Sequence, residues 1–367
     1  MKLKNLFGMA AMAALVLSGC SSDEVVENFS PENAIEFGTY VGRDAQGRAS
    51  VFETADMATA GFGVYAFYTG QQTWEEYKAE NNQLAANFMN NTKVTSADGG
   101  KTWTYSPLKY WPNNANDKVS FFAYAPYSKN ETSDNVTANS NGTIGLIVQN
   151  DVTQHEDLTA VLDHQIDQTK GKLDQVVKFE FTHILSRIEF TLQAAADQVD
   201  AGGNINEGTT ITLNKITIGG EKPVGFYEKG EYSIWGKEWT YVNGNQAFTL
   251  TSANFVPNSN VLTSTDNDRK ELIEEDGDDY IMVIPQKIAQ LPITVEYTVE
   301  TVGENAAGDP DNSTITNVMT NYVDVDFVAN TIYKFHIVLG MSTVELSAEV
   351  KNWDTKEIEV DLPENVQ

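Results

Sequence analysis

One cysteine, four histidines and 52 carboxylates are the groups with which this 367-residue chain can do chemistry. Their spacing assigns almost none of it to catalysis. His155-Glu156 opens like a zinc-peptidase helix, which needs a second His at position 159, but that position is Thr. His155 and His164, with Asp157 or Asp163, are the right ligand types for zinc at a spacing that matches no standard site. His183 sits where a strand bends and reads as a structural hydrogen-bonding residue. His336, between Phe335 and Ile337, takes the polar parity of its strand and reads as a surface or edge residue. There is no G-x-S-x-G elbow, and no glycine-rich loop between a strand and a helix to cradle phosphate.

The acidic stretches Asp266 to Asp279 and Asp309 to Ser313 contain oxygen ligands suited to calcium. The second begins like a calcium loop but lacks the turn glycine and the closing bidentate Glu, so both read as solvated loop tips. Among 52 carboxylates, a pair spaced for glycoside hydrolysis arises by chance and carries no weight. Tyr232, Trp235, Trp239 and Tyr241 are the side chains that stack on sugar rings, or on one another across a hairpin. The sequence therefore assigns no catalytic residue, no metal site and no cofactor, and a sandwich-fold hydrolase finds no nucleophile in it.

The cysteine is different. Lys2 and Lys4 precede an apolar run, Leu6 to Leu17, that is short for a bilayer span and ends in Leu17-Ser18-Gly19-Cys20. This resembles a bacterial lipobox, which implies removal of residues 1–19 and lipidation of the Cys20 thiol. Each buried methylene contributes about 0.8 kcal/mol, so several acyl chains would anchor the protein permanently in outer-membrane lipid. Residues 20–33 then form a lipidated acidic tether, and Ser21-Ser22-Asp23-Glu24 resembles a signal for the outer face of the outer membrane. A lone cysteine also excludes an intrachain disulfide and any multi-thiolate zinc site. With 24 basic against 52 acidic side chains the net charge is −28, which repels phosphate backbones and argues against nucleic-acid partners.

The elements beyond the tether alternate with period two. Ile35, Phe37 and Val41 share one parity, as do Phe62, Val64, Ala66 and Tyr68, and Val119, Phe121, Ala123 and Ala125. Val177, Phe179 and Phe181 continue the pattern, and after His183 the parity flips to Ile184, Ile188, Phe190 and Leu192, which predicts a bulge or bend. Ile293 to Val299, Tyr333 to Leu339, Val344 to Val350 and Ile358 to Leu362 behave alike. Short helices fit Trp74 to Met89 and Asp157 to His164. The glycine-rich stretch Ala194 to Thr210 is nearly devoid of aliphatic side chains, and divides the chain into sandwiches over 34–198 and 207–367. The expected fold is all-β: two tandem β-sandwich domains.

The blocks FGVYAFYT (62–69), WTYSP (103–107), YWP (110–112), FFAYAPY (121–127), DLTA (157–160), FTHILSRI (181–188), IPQ (284–286), YKF (333–335) and VKNW (350–353) occur in this order behind the lipobox. The series resembles the fimbrillin (Mfa-like, FimA-like) lipoproteins that build type V pili. That resemblance implies transthyretin-like topology, a surface location in a fimbrium, and assembly with other fimbrial subunits in adhesion or colonisation. It also implies that an arginine-directed protease removes the N-terminal strand, and that a terminal strand of the next subunit fills the gap. Mapped onto this chain, the displaced strand carries Ile35, Phe37 and Val41, and the donor strand Ile358, Val360 and Leu362. The segment Gly42 to Ala49 offers two processing sites, Arg48 and Arg43; Arg48 is preferred because Asp44 places a carboxylate directly after Arg43. The same segment also reads as an ordinary basic turn. The alternative function is a non-polymerising lipoprotein that binds a host or bacterial surface glycan or protein, with Trp235 and Trp239 as a stacking platform.

Overall fold

The computed structural model describes residues 33–41, 54–81, 83–131, 134–171, 176–195, 207–220, 225–264, 266, 268–273, 280–304, 307–340, 344–352 and 357–358. The chain is nearly all β, 56% strand and 6% helix, and among the described residues the strands form four sheets. The largest sheet runs in the order Glu36–Val41, Val176–His183, Thr159–Val161, Lys118–Ala125, Phe62–Gly70, Met89–Thr95 and Thr104–Tyr105. Its two central strands carry apolar residues on both parities because both faces are covered. Phe62, Val64, Phe121 and Ala123 enter one core, while Tyr65, Phe67, Phe122 and Tyr124 enter the other. The expected helix after Thr73 is the shorter Trp74–Glu80, started by a reciprocal capping box between Thr73 and Glu76.

The parity flip after His183 marks a change of sheet. Val176–His183 ends in the first sheet, and Ser186–Ala194 begins a strand of a second. That second sheet runs Lys270–Glu271, Ser186–Ala194, Thr331–Leu339, Val344–Asn352 and Glu357–Ile358, with Ile281–Val283 also paired to Ser186–Ala194. Polar side chains from distant segments pin the crossing. The Asp157 carboxylate lies 2.6 Å from His183 Nδ1 with both groups buried, and the Ile184 amide donates to Leu158 O at 3.0 Å. Ser186 Oγ donates to Val328 O at 2.7 Å, and the Arg187 guanidinium lies 3.1 Å from the centre of the Tyr280 ring. Asp157 to His164 is therefore not a helix. Thr159–Val161 is a strand wedged between Lys118–Ala125 and Val176–His183, where packing on both sides overrides local helix preference.

A third sheet runs Phe248–Thr251, Thr209–Ile218, Gln286–Thr301 and Ser313–Phe327. Its inward residues Ile211, Leu213, Val295 and Tyr297 share a core with Phe190, Leu192, Phe335 and Ile337 of the second sheet. The fourth sheet runs Glu238–Gln246, Phe226–Ser233, Thr143–Ile147 and Val136–Ala138. Two sheets therefore draw strands from both sides of the 196–206 segment. Phe226–Ser233 pairs with Thr143–Ile147, and Ser186–Ala194 pairs with Thr331–Leu339. One continuous apolar core, which includes Tyr65, Ile144, Phe190, Tyr232, Val295 and Phe335, links the sheets.

Three histidines serve this packing. The Met282 amide donates to His155 Nδ1 at 3.0 Å, which leaves Nε2 to donate to Gln149 O at 2.8 Å, so the ring staples a loop to the second sheet. His164 packs on Phe122 with ring centres 4.6 Å apart. His336 is buried, not a surface or edge residue: its strand is central to the second sheet, and its Nδ1 lies 2.7 Å from Thr191 Oγ1. Burial pushes the His164 imidazole down from 6.5 to about 4, and lowers His155 in the same direction.

Two outcomes follow from this packing. The unfolded chain binds protons on these imidazoles that the folded chain refuses, so their contribution is complete above about pH 6.5 and is lost as pH falls toward 4. Thermal melts across that window should show Tm falling, with a shallower slope in His164→Gln. A specific protease site placed between Ala195 and Glu207 tests the shared sheets. After cutting, the two fragments should co-elute as one species in native size exclusion; separate elution would show that each half folds alone.

Candidate functional site

The N-terminal strand is the feature on which a function can be built. Glu36–Val41 lies at the edge of the largest sheet and pairs parallel with Val176–Phe181, from Glu36 opposite Val176 to Val41 opposite Phe181. Just before it, a second segment grips the opposite side of the chain. The Ile35 amide donates to Lys109 O at 2.9 Å, the Trp111 amide donates to Asn33 O at 3.0 Å, and the Tyr105 hydroxyl donates to Ile35 O at 2.8 Å. Burial pushes the Tyr105 phenol up to about 12, so it stays a neutral donor at any physiological pH.

Period two then decides which side chains enter the core. Ile35 and Phe37 are buried, at 1% and 5% exposure, while Glu36 between them faces water. The Phe37 ring occupies a pocket of four rings: Phe179 stacked at 5.6 Å, Tyr105 at 5.3 Å, Phe121 edge-on at 6.0 Å and Phe62 edge-on at 6.4 Å. Gly38 follows directly. A Cβ there would come within 3.3 Å of Val176 Cγ1, so the strand lies close against its neighbour at that point. Thr39 Oγ1 lies 3.8 Å from the sulfur of Met57, the fully buried residue of the helix Thr54–Ala60. Burying Ile35 and Phe37 contributes about 1.5–3 kcal/mol each, on top of the ladder to Val176–Phe181.

The strand is thus an insert: one short segment, held by side-chain pockets and main-chain bonds from remote parts of the chain. If it leaves, it uncovers a sheet edge and an aromatic pocket together. Ile35 and Phe37 are both buried, two positions apart on one face of the segment. The side chain of Val41, and Cys20, Arg43, Arg48, Val360 and Leu362, lie outside the described residues. Ile358 is placed by its backbone, paired opposite Val350 in the second sheet. Sequence reading missed the clasp of Tyr105, Lys109 and Trp111 and the cap by Met57. Only the aromatic density of residues 103–111 hinted at the first.

The other candidates are absorbed by packing. The Trp235 indole is ringed by Tyr65, Phe67, Phe122 and Trp74, with centres 5.2–6.5 Å away. Trp239 lies opposite Tyr232 in the hairpin register, and its indole N–H donates to Ile184 O at 3.0 Å. Tyr241 stacks on Tyr227 at 4.1 Å. These rings pack on one another across strands, and Trp235 and Trp239 are each partly buried. Asp309 to Ser313 lies at the tip of the hairpin joining Gln286–Thr301 to Ser313–Phe327, and among the described residues no group of three His, Cys, Asp or Glu gathers for a metal.

The fimbrillin-like family profile matches residues 48–353. Fimbrium subunit Fim1C of Phocaeicola vulgatus is 25% identical over 95% of both chains. A crystal structure of a fimbrial protein from Bacteroides vulgatus shares the fold with a TM-score of 0.67 at 21% identity, covering 88% of this chain and 99% of that one. No helix among the described residues is long and apolar enough to cross a membrane. With a profile match across most of its length, the chain belongs to the fimbrillin-like family of fimbrial proteins.

Proposed function

We propose that this protein is a surface-exposed fimbrial subunit, anchored to the outer membrane through a lipidated Cys20, that assembles by exchanging its first strand and serves adhesion or colonisation. The observation that carries the reading is the insert-like N-terminal strand, with Ile35 and Phe37 buried among residues from remote segments. Cleavage after Arg48, or after Arg43, cuts the only covalent link between that strand and the body of the protein. The strand is then held by non-covalent contacts alone. A bared edge and pocket in water favour a replacement strand, which keeps the hydrogen-bond ladder and refills the pocket.

The donor in this reading is the C-terminal run Ile358, Val360 and Leu362, whose alternation with Glu357, Glu359 and Asp361 suits a groove apolar on one side. Its partners are other fimbrial subunits, and the chain works by assembly, not by turnover. The division into sandwiches at 34–198 and 207–367 is compatible with this role but is not needed for it.

Two experiments test the parts separately. Purified protein lacking the signal peptide should stay monomeric until trypsin cuts at Arg48, then form oligomers that survive denaturant. Deletion of Ile358 to Gln367 should leave the cut protein monomeric. Oligomers from an uncut Arg43→Ala/Arg48→Ala double variant, or from the deletion, would refute strand exchange. Separately, Cys20→Ala should shift the protein from the membrane to the soluble fraction; unchanged membrane association would refute the anchor.

A further inference from the structure

The first strand is also a template of what its groove accepts. Four rings surround Phe37, and one of them, Phe179, lies nearly parallel to it with an interplanar angle of 16°. An aliphatic side chain in that space gives up the stacked and edge-on contacts and leaves part of the pocket empty. Two positions earlier the groove takes Ile35, clasped by the Tyr105 hydroxyl and the Lys109 carbonyl. Directly after Phe37 a Cβ would come within 3.3 Å of Val176 Cγ1, so any side chain there requires its neighbour to shift by a fraction of an ångström, which favours a small residue. The groove therefore fits an aliphatic residue, any residue, an aromatic residue and then a small one.

The proposed donor run does not carry that pattern. From Glu357 to Gln367 there is no aromatic residue, and the alternating positions Ile358, Val360 and Leu362 are all aliphatic. We propose that the groove selects its incoming strand by an aromatic side chain at the Phe37 position, and that the best-fitting strand is supplied by a subunit other than this one. The inference rests on the strand-exchange reading and adds partner choice to it. Copies of this chain can then fill one another's grooves when alone, while a strand with the aromatic pattern displaces them. The natural polymer would be mixed at this joint.

The test uses the full chain nicked after Arg48 and three labelled peptides, read by exchange into the protein. One peptide copies Asn33 to Val41, the second is the same with Phe37→Leu, and the third copies Lys356 to Gln367. The first should be taken up at least about tenfold more tightly than either of the others. Uptake of all three within about threefold would overturn aromatic selection while leaving strand exchange standing. Uptake of none would overturn strand exchange itself, and this inference with it.

Discussion

An edge strand that fills a core from outside the local chain is the constraint on which this molecule is organised. Val176–Phe181 needs a hydrogen-bonding neighbour along its free side, and the pocket between Phe62, Tyr105, Phe121 and Phe179 needs a side chain. Both needs are met by the same short segment. Because the pairing is parallel, the segment cannot be joined to its neighbour by a tight turn. It reaches its place from a separate part of the sequence and, once cut, nothing covalent returns it. A fold that depends on such a strand is incomplete without it, and in the proposed reading completion by another chain is the physical basis of assembly.

The rest of the structure supports that groove from beneath. The strands beneath it, Phe62–Gly70 and Lys118–Ala125, are packed on both faces, so the pocket floor is shared with a second core. The chain crosses between sheets at residues 183–186, where buried polar contacts replace apolar ones. Asp157 meets His183, Arg187 lies on Tyr280, and Trp239 donates to Ile184 O. A buried hydrogen-bonded polar contact is costly to break, so it fixes one arrangement of the crossing against alternatives. Two sheets pair strands from either side of residues 196–206, Ser186–Ala194 with Thr331–Leu339 and Thr143–Ile147 with Phe226–Ser233.

Much of this was legible in the sequence because period two is a strong signal. The alternating runs at 62–68, 119–125, 293–299 and 333–339 all became strands, and the two-parity apolar block at 121–125 became a central strand. The flip at His183 was legible as a break, but not as a change of sheet, since parity says nothing about which strand will pair. His336 was misread for a related reason: the polar parity of a strand is exposed only when nothing packs on that face, and here Thr191 and Glu349 adjoin it. Asp157 to His164 was misread because its helix spacing is local, whereas its two neighbouring strands are not. The clasp at Tyr105 was illegible because it joins segments 70 residues apart.

Hydrogen–deuterium exchange along Val176–Phe181 probes the groove most directly, because its amides report whether a strand lies beside them. The account predicts protection in the uncut protein, loss of protection after cleavage and removal of the first strand, and recovery once an incoming strand is bound. Protection that stays unchanged when the first strand is removed would mean that no groove opens, and would contradict assembly through this edge.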